Sequence, residues 1–272
     1  MLISSEWLTT HINDKELVIV DMSSDYTQYQ RFHIPGAVYL DYSMLVQTSR
    51  EKVSYAIPPQ QLQQLLGYLG IQRNSHIVIY DDMGGLNATR LFWQLEQIAH
   101  PKVSILNGGL VSWIRQGKSV SGELKEPQKV RYMNTTESIS NLASFEDVLS
   151  ASSTGKSTLV DARSAEEYLG NPIYKRSGHI PGAISYTWDS SVDFQQSFKL
   201  KDDTQIANLL TQAGLSTDKN TPIITYCQSG HRASHTYFLL KLQGYKNVKL
   251  YDGSFAEYQR KPAAPMNLGA QP

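Results

Sequence analysis

The sequence contains one cysteine, Cys227, at the junction between an apolar run and a helical pattern. The run Ile223–Tyr226 is typical of a buried strand, and a helix is predicted over Ala233–Gln243. The first N–H groups of a helix lack intrahelical partners and, together with the helix dipole, favour an anion. A thiol at that position ionises more readily, and the thiolate is the nucleophilic form. We therefore predict a catalytic nucleophile rather than a small buried apolar residue.

The residues after Cys227 are predicted to form an anion-binding active-site loop. They are polar, small or basic, so the sulfur does not simply fill a core. Gly230 permits a positive φ angle or a close backbone approach, as such loops require. The predicted loop consists of Gln228, Ser229, Gly230, His231 and Arg232.

This loop resembles the active-site loop of the rhodanese sulfurtransferases, and nearly the whole chain resembles a two-domain rhodanese. The resemblance implies that the Cys227 thiolate attacks the outer sulfur of thiosulfate and that sulfite leaves. The resulting persulfide then passes its sulfane sulfur to a thiophilic acceptor such as cyanide or a cellular thiol. Loop N–H groups would stabilise the thiolate and persulfide anions, and Arg232 would hold sulfite. The implied partners are a small-molecule donor and acceptor, with no metal or organic cofactor and no identified protein acceptor.

An internal repeat divides the chain into two halves. His33–Ala37 recurs as His179–Ala183, 146 positions later, and Asp81 aligns with Cys227 at the same offset. A strand ending in Asp21 matches one ending in Asp161 at the smaller offset of 140. The difference assigns about six additional residues to the second half, before its His-Ile-Pro-Gly-Ala sequence, in the range 170–178.

In each half, strands alternate with helices. This order predicts an α/β fold of two tandem rhodanese-like domains, each a mainly parallel sheet with helices on both faces. Apart from the helix after Cys227, the longer predicted helices are Pro59–Leu69, Leu86–Ala99 and Asp203–Ala213. A stretch rich in Ser, Gly, Glu, Lys, Thr and Asn sets the predicted boundary. The predicted parts are a non-catalytic domain (1–125), a linker (126–140) and a catalytic domain (141–272), whose tail from Lys261 is extended or loosely packed.

Basic residues near the predicted site are candidates for substrate binding. Arg163 follows the strand that ends in Asp161, and it matches a family arginine that reaches the substrate anion. The alternative is a surface salt bridge to Glu166 or Glu167. Lys175 and Arg176 lie in the additional segment and form either a second basic wall or a solvated loop.

Two other features are assigned to structure. His33 and His179 occur in both halves, so they are predicted to fix a turn rather than to act in catalysis. Asp81 and Asp82 form an acidic loop where the second half has its cysteine. Such a loop would repel an anionic substrate. The first half is therefore predicted to form one wall of the pocket at Cys227 and to restrict which substrates enter it.

Alternative functions remain open. Ser229 and Gly230 match the pattern of 3-mercaptopyruvate sulfurtransferases, whereas the ending Gly-His-Arg is similar to that of single-domain rhodaneses. A cysteine phosphatase of the dual-specificity cell-cycle type has five residues between its cysteine and arginine, whereas Cys227 and Arg232 are separated by four. A non-enzymatic sulfur carrier would retain Cys227 without donor turnover.

Charge and cysteine content limit the remaining classes. Lys+Arg and Asp+Glu each number 25 in 272 residues, so nothing favours a nucleic-acid partner. No secretory signal is predicted at the start, and no apolar run has membrane-spanning length. One free thiol suits a reducing compartment, so the expected location is the cytoplasm.

Overall fold

The structure, a computed structural model, describes residues 1–133, 138–174 and 176–272. The chain divides into two compact units, each of which includes a short segment from the other half of the sequence. The first unit comprises Met1–Gln47, Ala56–Ile139 and Val192–Leu200, and the second comprises Thr48–Tyr55, Ser140–Ser191 and Lys201–Pro272.

The first half contains a five-stranded parallel sheet in the order β1-β7-β6-β2-β3, with β4 and β5 as a separate pair. Its strands are β1 (Leu2–Ile3), β2 (Leu17–Asp21), β3 (Val38–Tyr39), β4 (Val46–Thr48), β5 (Ser54–Ala56), β6 (His76–Tyr80) and β7 (Val103–Leu106). Its helices are α1 (Ser5–His11), α2 (Tyr26–Arg31), α3 (Pro59–Tyr68), α4 (Leu86–Gln97) and α5 (Gly109–Arg115).

The second half repeats this topology as β8-β14-β13-β9-β10, again all parallel, and β11 pairs with β12. Its strands are β8 (Leu142–Ala143), β9 (Thr158–Asp161), β10 (Ala183–Ser185), β11 (Val192–Asp193), β12 (Lys199–Leu200), β13 (Ile223–Tyr226) and β14 (Val248–Tyr251). Its helices are α6 (Phe145–Thr154), α7 (Ala165–Leu169), α8 (Asp203–Gln212), α9 (His231–Leu242) and α10 (Ser254–Tyr258). Two parallel five-stranded sheets with flanking helices confirm the predicted α/β class.

The central strand of each sheet is buried on both faces, which explains its continuous apolar sequence. All four residues of β13 are buried, and Tyr226 packs in one core with Leu159 and Phe255. In register, Tyr226 lies beside Asp161 on β9, as Tyr80 lies beside Asp21 in the first half. The carboxyl ends of β9 and β13 are therefore level, so the residues that follow them meet at one edge of the sheet.

The predicted helices are present, with ends that differ by one or two residues. The largest consequence is at α9, which begins at His231 rather than at Ala233. Gly230 adopts the left-handed conformation (φ 78°) as its N-cap, and this turn admits His231 and Arg232 into the first helical turn. The predicted loop is therefore only three residues long after Cys227, and its two basic residues have helical positions.

The structural interpretation of the two repeated histidines is confirmed by their contacts. The Nε2 atoms of His33 and His179, both buried, lie 3.1 and 2.8 Å from the carbonyl oxygens of Glu123 and Gln271, respectively. Each histidine thus ties the segment beyond the last helix of its half back to the turn. The tail was expected to be extended or loosely packed, but Asn267 pairs with His179 through two backbone hydrogen bonds of 3.0 Å, so it is anchored.

No helix within the described residues is long and apolar enough to cross a membrane.

Candidate active site

Cys227 lies at the carboxyl end of the central strand β13 and is 1% exposed. Only Gln228, Ser229 and Gly230 separate it from α9. Gln228 and Ser229 are half-buried, whereas Gly230 is buried. The sulfur atom therefore lies below a short loop, at the edge of the sheet where ligands bind in parallel α/β folds and close to a 12-residue helix N-terminus.

The loop is held by Ser254, the first residue of α10. Its hydroxyl accepts the N–H groups of Cys227 and Gly230 at 3.2 and 3.0 Å and donates to the Tyr251 carbonyl at 2.8 Å. The Phe255 N–H in turn donates to the Cys227 carbonyl at 2.9 Å. Ser254 has a φ of 52°, a left-handed value that a residue with a side chain adopts only at some cost. One strained serine thus fixes both ends of the loop.

The first half shows what this strand–loop–helix arrangement binds when no cysteine is present. The Asp81 carboxylate accepts four backbone N–H groups at 2.8–2.9 Å, those of Met83, Gly85, Asn87 and Ala88. Burial raises the pKa of Asp81, and these hydrogen bonds oppose the rise. The first-half loop is therefore an anion cradle that its own side chain fills, which explains how an acidic residue is accommodated there.

Arg232 is joined to Glu167 by a bidentate ion pair. Its Nη1 and Nη2 atoms lie 2.5 and 2.9 Å from the two carboxylate oxygens. The hydrogen bonds from Arg232 lower the pKa of Glu167 to about 2. The same hydrogen bonds to Glu167 raise the pKa of Arg232. The charge of the guanidinium group is therefore already balanced by the Glu167 carboxylate.

Arg163 is buried, not a surface residue. Its Nε contacts both carboxylate oxygens of Asp161 at 3.0 and 3.1 Å. Its Nη2 bonds to Asp161 at 2.6 Å and to the Gly178 carbonyl at 2.7 Å. The guanidinium group also covers the Phe255 ring, 3.9 Å from the centroid. The alternative of a surface salt bridge to Glu166 or Glu167 is wrong, because the guanidinium group is buried and pairs with Asp161, two residues earlier in the chain.

Arg176 donates to four backbone carbonyls between residues 258 and 264, with Nε bonded to Gln259 at 2.6 Å. All three of its guanidinium nitrogens take part, so it ties the additional segment to the chain after α10. These bonds do not fit the predicted solvated loop, and the alternative that Arg176 forms a basic wall stays a prediction. Lys175 lies outside the described residues.

An open pocket of about 490 Å³ lies beside the loop within the second unit. Its walls include the aromatic rings of Tyr174 and Phe255, the carboxylates of Glu166 and Glu167, and the loop residue Gln228. Arg163 and Arg176 also line it. Among the described residues, Glu167 lines this pocket, whereas its ion-pair partner Arg232 does not. The pocket therefore brings together three predicted site residues, Gln228, Arg163 and Arg176, with Glu167, the ion-pair partner of Arg232.

A rhodanese-like domain model matches residues 4–116 and 144–261, which is most of the chain, in two copies. The chain belongs to the rhodanese family. A thiosulfate sulfurtransferase of Azotobacter vinelandii is 33% identical over 262 residues, covering 96% of this chain and 94% of that protein. A sulfur carrier protein of Thermus thermophilus is 31% identical over 284 residues, covering 100% and 98%. The structure of a 3-mercaptopyruvate sulfotransferase from Escherichia coli has a TM-score of 0.82 at 29% identity, covering 93% and 98%.

These relatives support a sulfurtransferase function for this rhodanese. Ser254 is absent from the predicted site, although the repeat points to it. The equivalent residue in the first half is Gly109, and both residues have a φ of 52°. Because glycine suits this backbone better, a serine at this position indicates that its hydroxyl group makes a needed contact. Glu167 was considered only as a partner of Arg163, and the capping box that it forms with Ser164 gave no sign of its pairing with Arg232.

No group of three metal-ligating His, Cys, Asp or Glu side chains occurs in the part of the chain that the structure describes.

Proposed function

We propose that this rhodanese transfers the sulfane sulfur of thiosulfate to a thiophilic acceptor, cyanide or a thiol, through a persulfide on Cys227. The observation that carries the proposal is the place of Cys227 at the end of β13, separated from α9 by three residues. N–H groups at a helix N-terminus suit a thiolate and a persulfide, both anions. The name of the Azotobacter relative supports thiosulfate as the donor.

The proposed reaction has two displacements. The Cys227 thiolate forms a bond to the outer sulfur of thiosulfate, the S–S bond of the donor breaks, and sulfite leaves with the electron pair. The acceptor then attacks the terminal persulfide sulfur and restores the thiolate. Ser254 positions the loop, Arg232 attracts the donor anion, and Arg163 offers Nη1, which its bonds to Asp161 and Gly178 leave unused. Arg176 contributes its charge, since its nitrogens bond to the backbone.

The second candidate donor is 3-mercaptopyruvate. It is favoured by Ser229 and Gly230 in the loop and by the similarity to the Escherichia coli enzyme. The name of the Thermus relative supports a third candidate, a non-enzymatic sulfur carrier. A reducing compartment, the cytoplasm, is proposed because the single thiol must remain free.

The test is a side-by-side assay of thiosulfate and 3-mercaptopyruvate with cyanide as acceptor. We expect turnover with thiosulfate, ping-pong kinetics and, after donor treatment alone, a mass gain of one sulfur atom. Cys227→Ser should abolish both the turnover and the mass gain while the circular dichroism spectrum stays unchanged. A variant that keeps more than about one per cent of the activity would disprove the covalent route. Turnover with 3-mercaptopyruvate alone would assign the second donor, and loading without turnover would favour the carrier.

A further inference from the structure

Glu167 holds a position that the sulfur-transfer reaction does not explain. Its carboxylate lines the pocket beside Gln228, and both of its oxygens bind the two terminal nitrogens of Arg232. The Glu167 side chain is 35% exposed and that of Arg232 24% exposed, so the pair is reachable from solvent. In the free protein, Arg232, in the first turn of the helix after the cysteine loop, is thus neutralised by a carboxylate on the pocket wall.

An anionic donor that enters this pocket meets the negative charge of Glu167 before it can use the positive charge of Arg232. The two arginines that line the pocket do not replace Arg232 as a partner for the donor anion. The charge of Arg163 is balanced by Asp161, and Arg176 contributes its charge while its guanidinium nitrogens donate to backbone carbonyls. The donor anion and the Glu167 carboxylate therefore compete for the same guanidinium group.

We propose that Glu167 is a specificity-determining residue that sets how tightly this rhodanese binds an anionic sulfur donor. When the donor binds, its sulfonate or carboxylate group replaces Glu167 as partner of Arg232. When the anionic product leaves, Glu167 takes the guanidinium group back. The ion pair thus weakens donor binding and favours product release. This inference rests on the proposed donor chemistry.

Glu167→Gln tests the proposal by removing the charge of the ion pair while keeping the cap of the helix. Glu167 is the third helical residue of a capping box, in which Ser164 and Glu167 exchange side chain-to-backbone hydrogen bonds of 3.0 and 3.2 Å. Glutamine serves in the same box, so α7 should keep its N-terminus. The substitution removes the charge and leaves an amide of nearly the same shape.

Glu166→Gln is the matched control. Glu166 is the adjacent residue, lines the same pocket and carries the same charge, but the ion pair of Arg232 is made to Glu167. Both variants raise the net charge by one, so a general electrostatic effect would appear equally in both. An effect of the ion pair would appear only at Glu167.

We expect the thiosulfate KM of Glu167→Gln to fall about two- to fivefold, the range for releasing a partly exposed ion pair. The cyanide KM should not change, because Arg232 pairs with the donor anion. The fall should shrink as sodium chloride is added, because salt screens the attraction of the free guanidinium group. Glu166→Gln should show a smaller change. An unchanged or raised KM at Glu167, or an equal fall in both variants, would overturn the proposal.

Direct binding separates this inference from the proposed reaction. Calorimetric titration of thiosulfate into Cys227→Ser, with and without Glu167→Gln, measures the dissociation constant without turnover. A dissociation constant two- to fivefold lower in the double variant would support the role of Glu167. That support would stand even if the wild-type protein failed to turn over thiosulfate, a result that would refute only the proposed donor. An equal dissociation constant in the two proteins would refute the role of Glu167 whatever the activity.

Discussion

Removal of the Ser254 hydroxyl should loosen the active-site loop and destabilise the fold. The hydroxyl joins Cys227, Gly230 and Tyr251 through three hydrogen bonds of 2.8–3.2 Å, and Ser254 is fully buried. Water therefore has no direct access to the N–H groups that lose their acceptor. Ser254→Ala removes the hydroxyl alone. Ser254→Gly removes it and also relieves the left-handed backbone strain.

The magnitude follows from these two terms. Buried donors that lose their partner cost about 1 to 3 kcal/mol each, and relaxation of the loop reduces this sum, so Ser254→Ala should lower the free energy of unfolding by about 2 to 4 kcal/mol. Glycine at the same position should recover about 1 kcal/mol of that loss, because a side chain at a φ of 52° costs roughly this amount. Gly109, which holds the same φ in the first half, shows that glycine accepts this backbone.

Urea unfolding gives the stability, and steady-state kinetics give the effect on the reaction. Both variants should lose about tenfold in kcat at saturating donor, because a loop misplaced by one lost constraint costs about 1.4 kcal/mol of transition-state stabilisation. The KM should change less than kcat, since the hydroxyl contacts the loop and not the pocket wall. If Ser254→Ala were as stable and active as wild type, the loop would be fixed by other contacts and the reasoning would fail.

Two further predictions concern charged groups. Arg163→Ala should lower the free energy of unfolding by about 3 to 5 kcal/mol, because it leaves the buried Asp161 carboxylate without its partner. A urea midpoint like that of wild type would contradict this prediction. The pKa of Glu167 is lowered from 4.5 to about 2 in the folded state, so its ion pair with Arg232 stabilises the fold fully above about pH 5 and progressively less as the pH falls towards 2. Glu167→Gln should therefore lose less stability than wild type between about pH 5 and pH 3 in urea titrations, and parallel losses would argue against the ion pair.

The fold class and the place of Cys227 within it could be predicted because both depend on local patterns. The alternation of apolar strands with amphipathic helices, repeated at nearly constant spacing, determines a parallel sheet in each half. Cys227 follows the run that became β13, and its repeat partner Asp81 follows β6. A strand followed by a short loop and a helix places its junction at the ligand-binding edge whatever surrounds it. Residue order along the chain was therefore sufficient for these features.

The sequence by itself thus determined the two-fold repeat, the α/β class and the position of Cys227 at the end of a central strand. Only the tertiary structure decided which charges are available beside the sulfur. Arg232 meets Glu167, 65 residues away, and Arg176 is bound by carbonyls more than 80 residues later. Ser254, 27 residues after Cys227, reaches the loop because β14 lies beside β13. Such contacts depend on how strands align and pack, and spacing along the chain carries no information about which of several nearby acids a guanidinium group will choose.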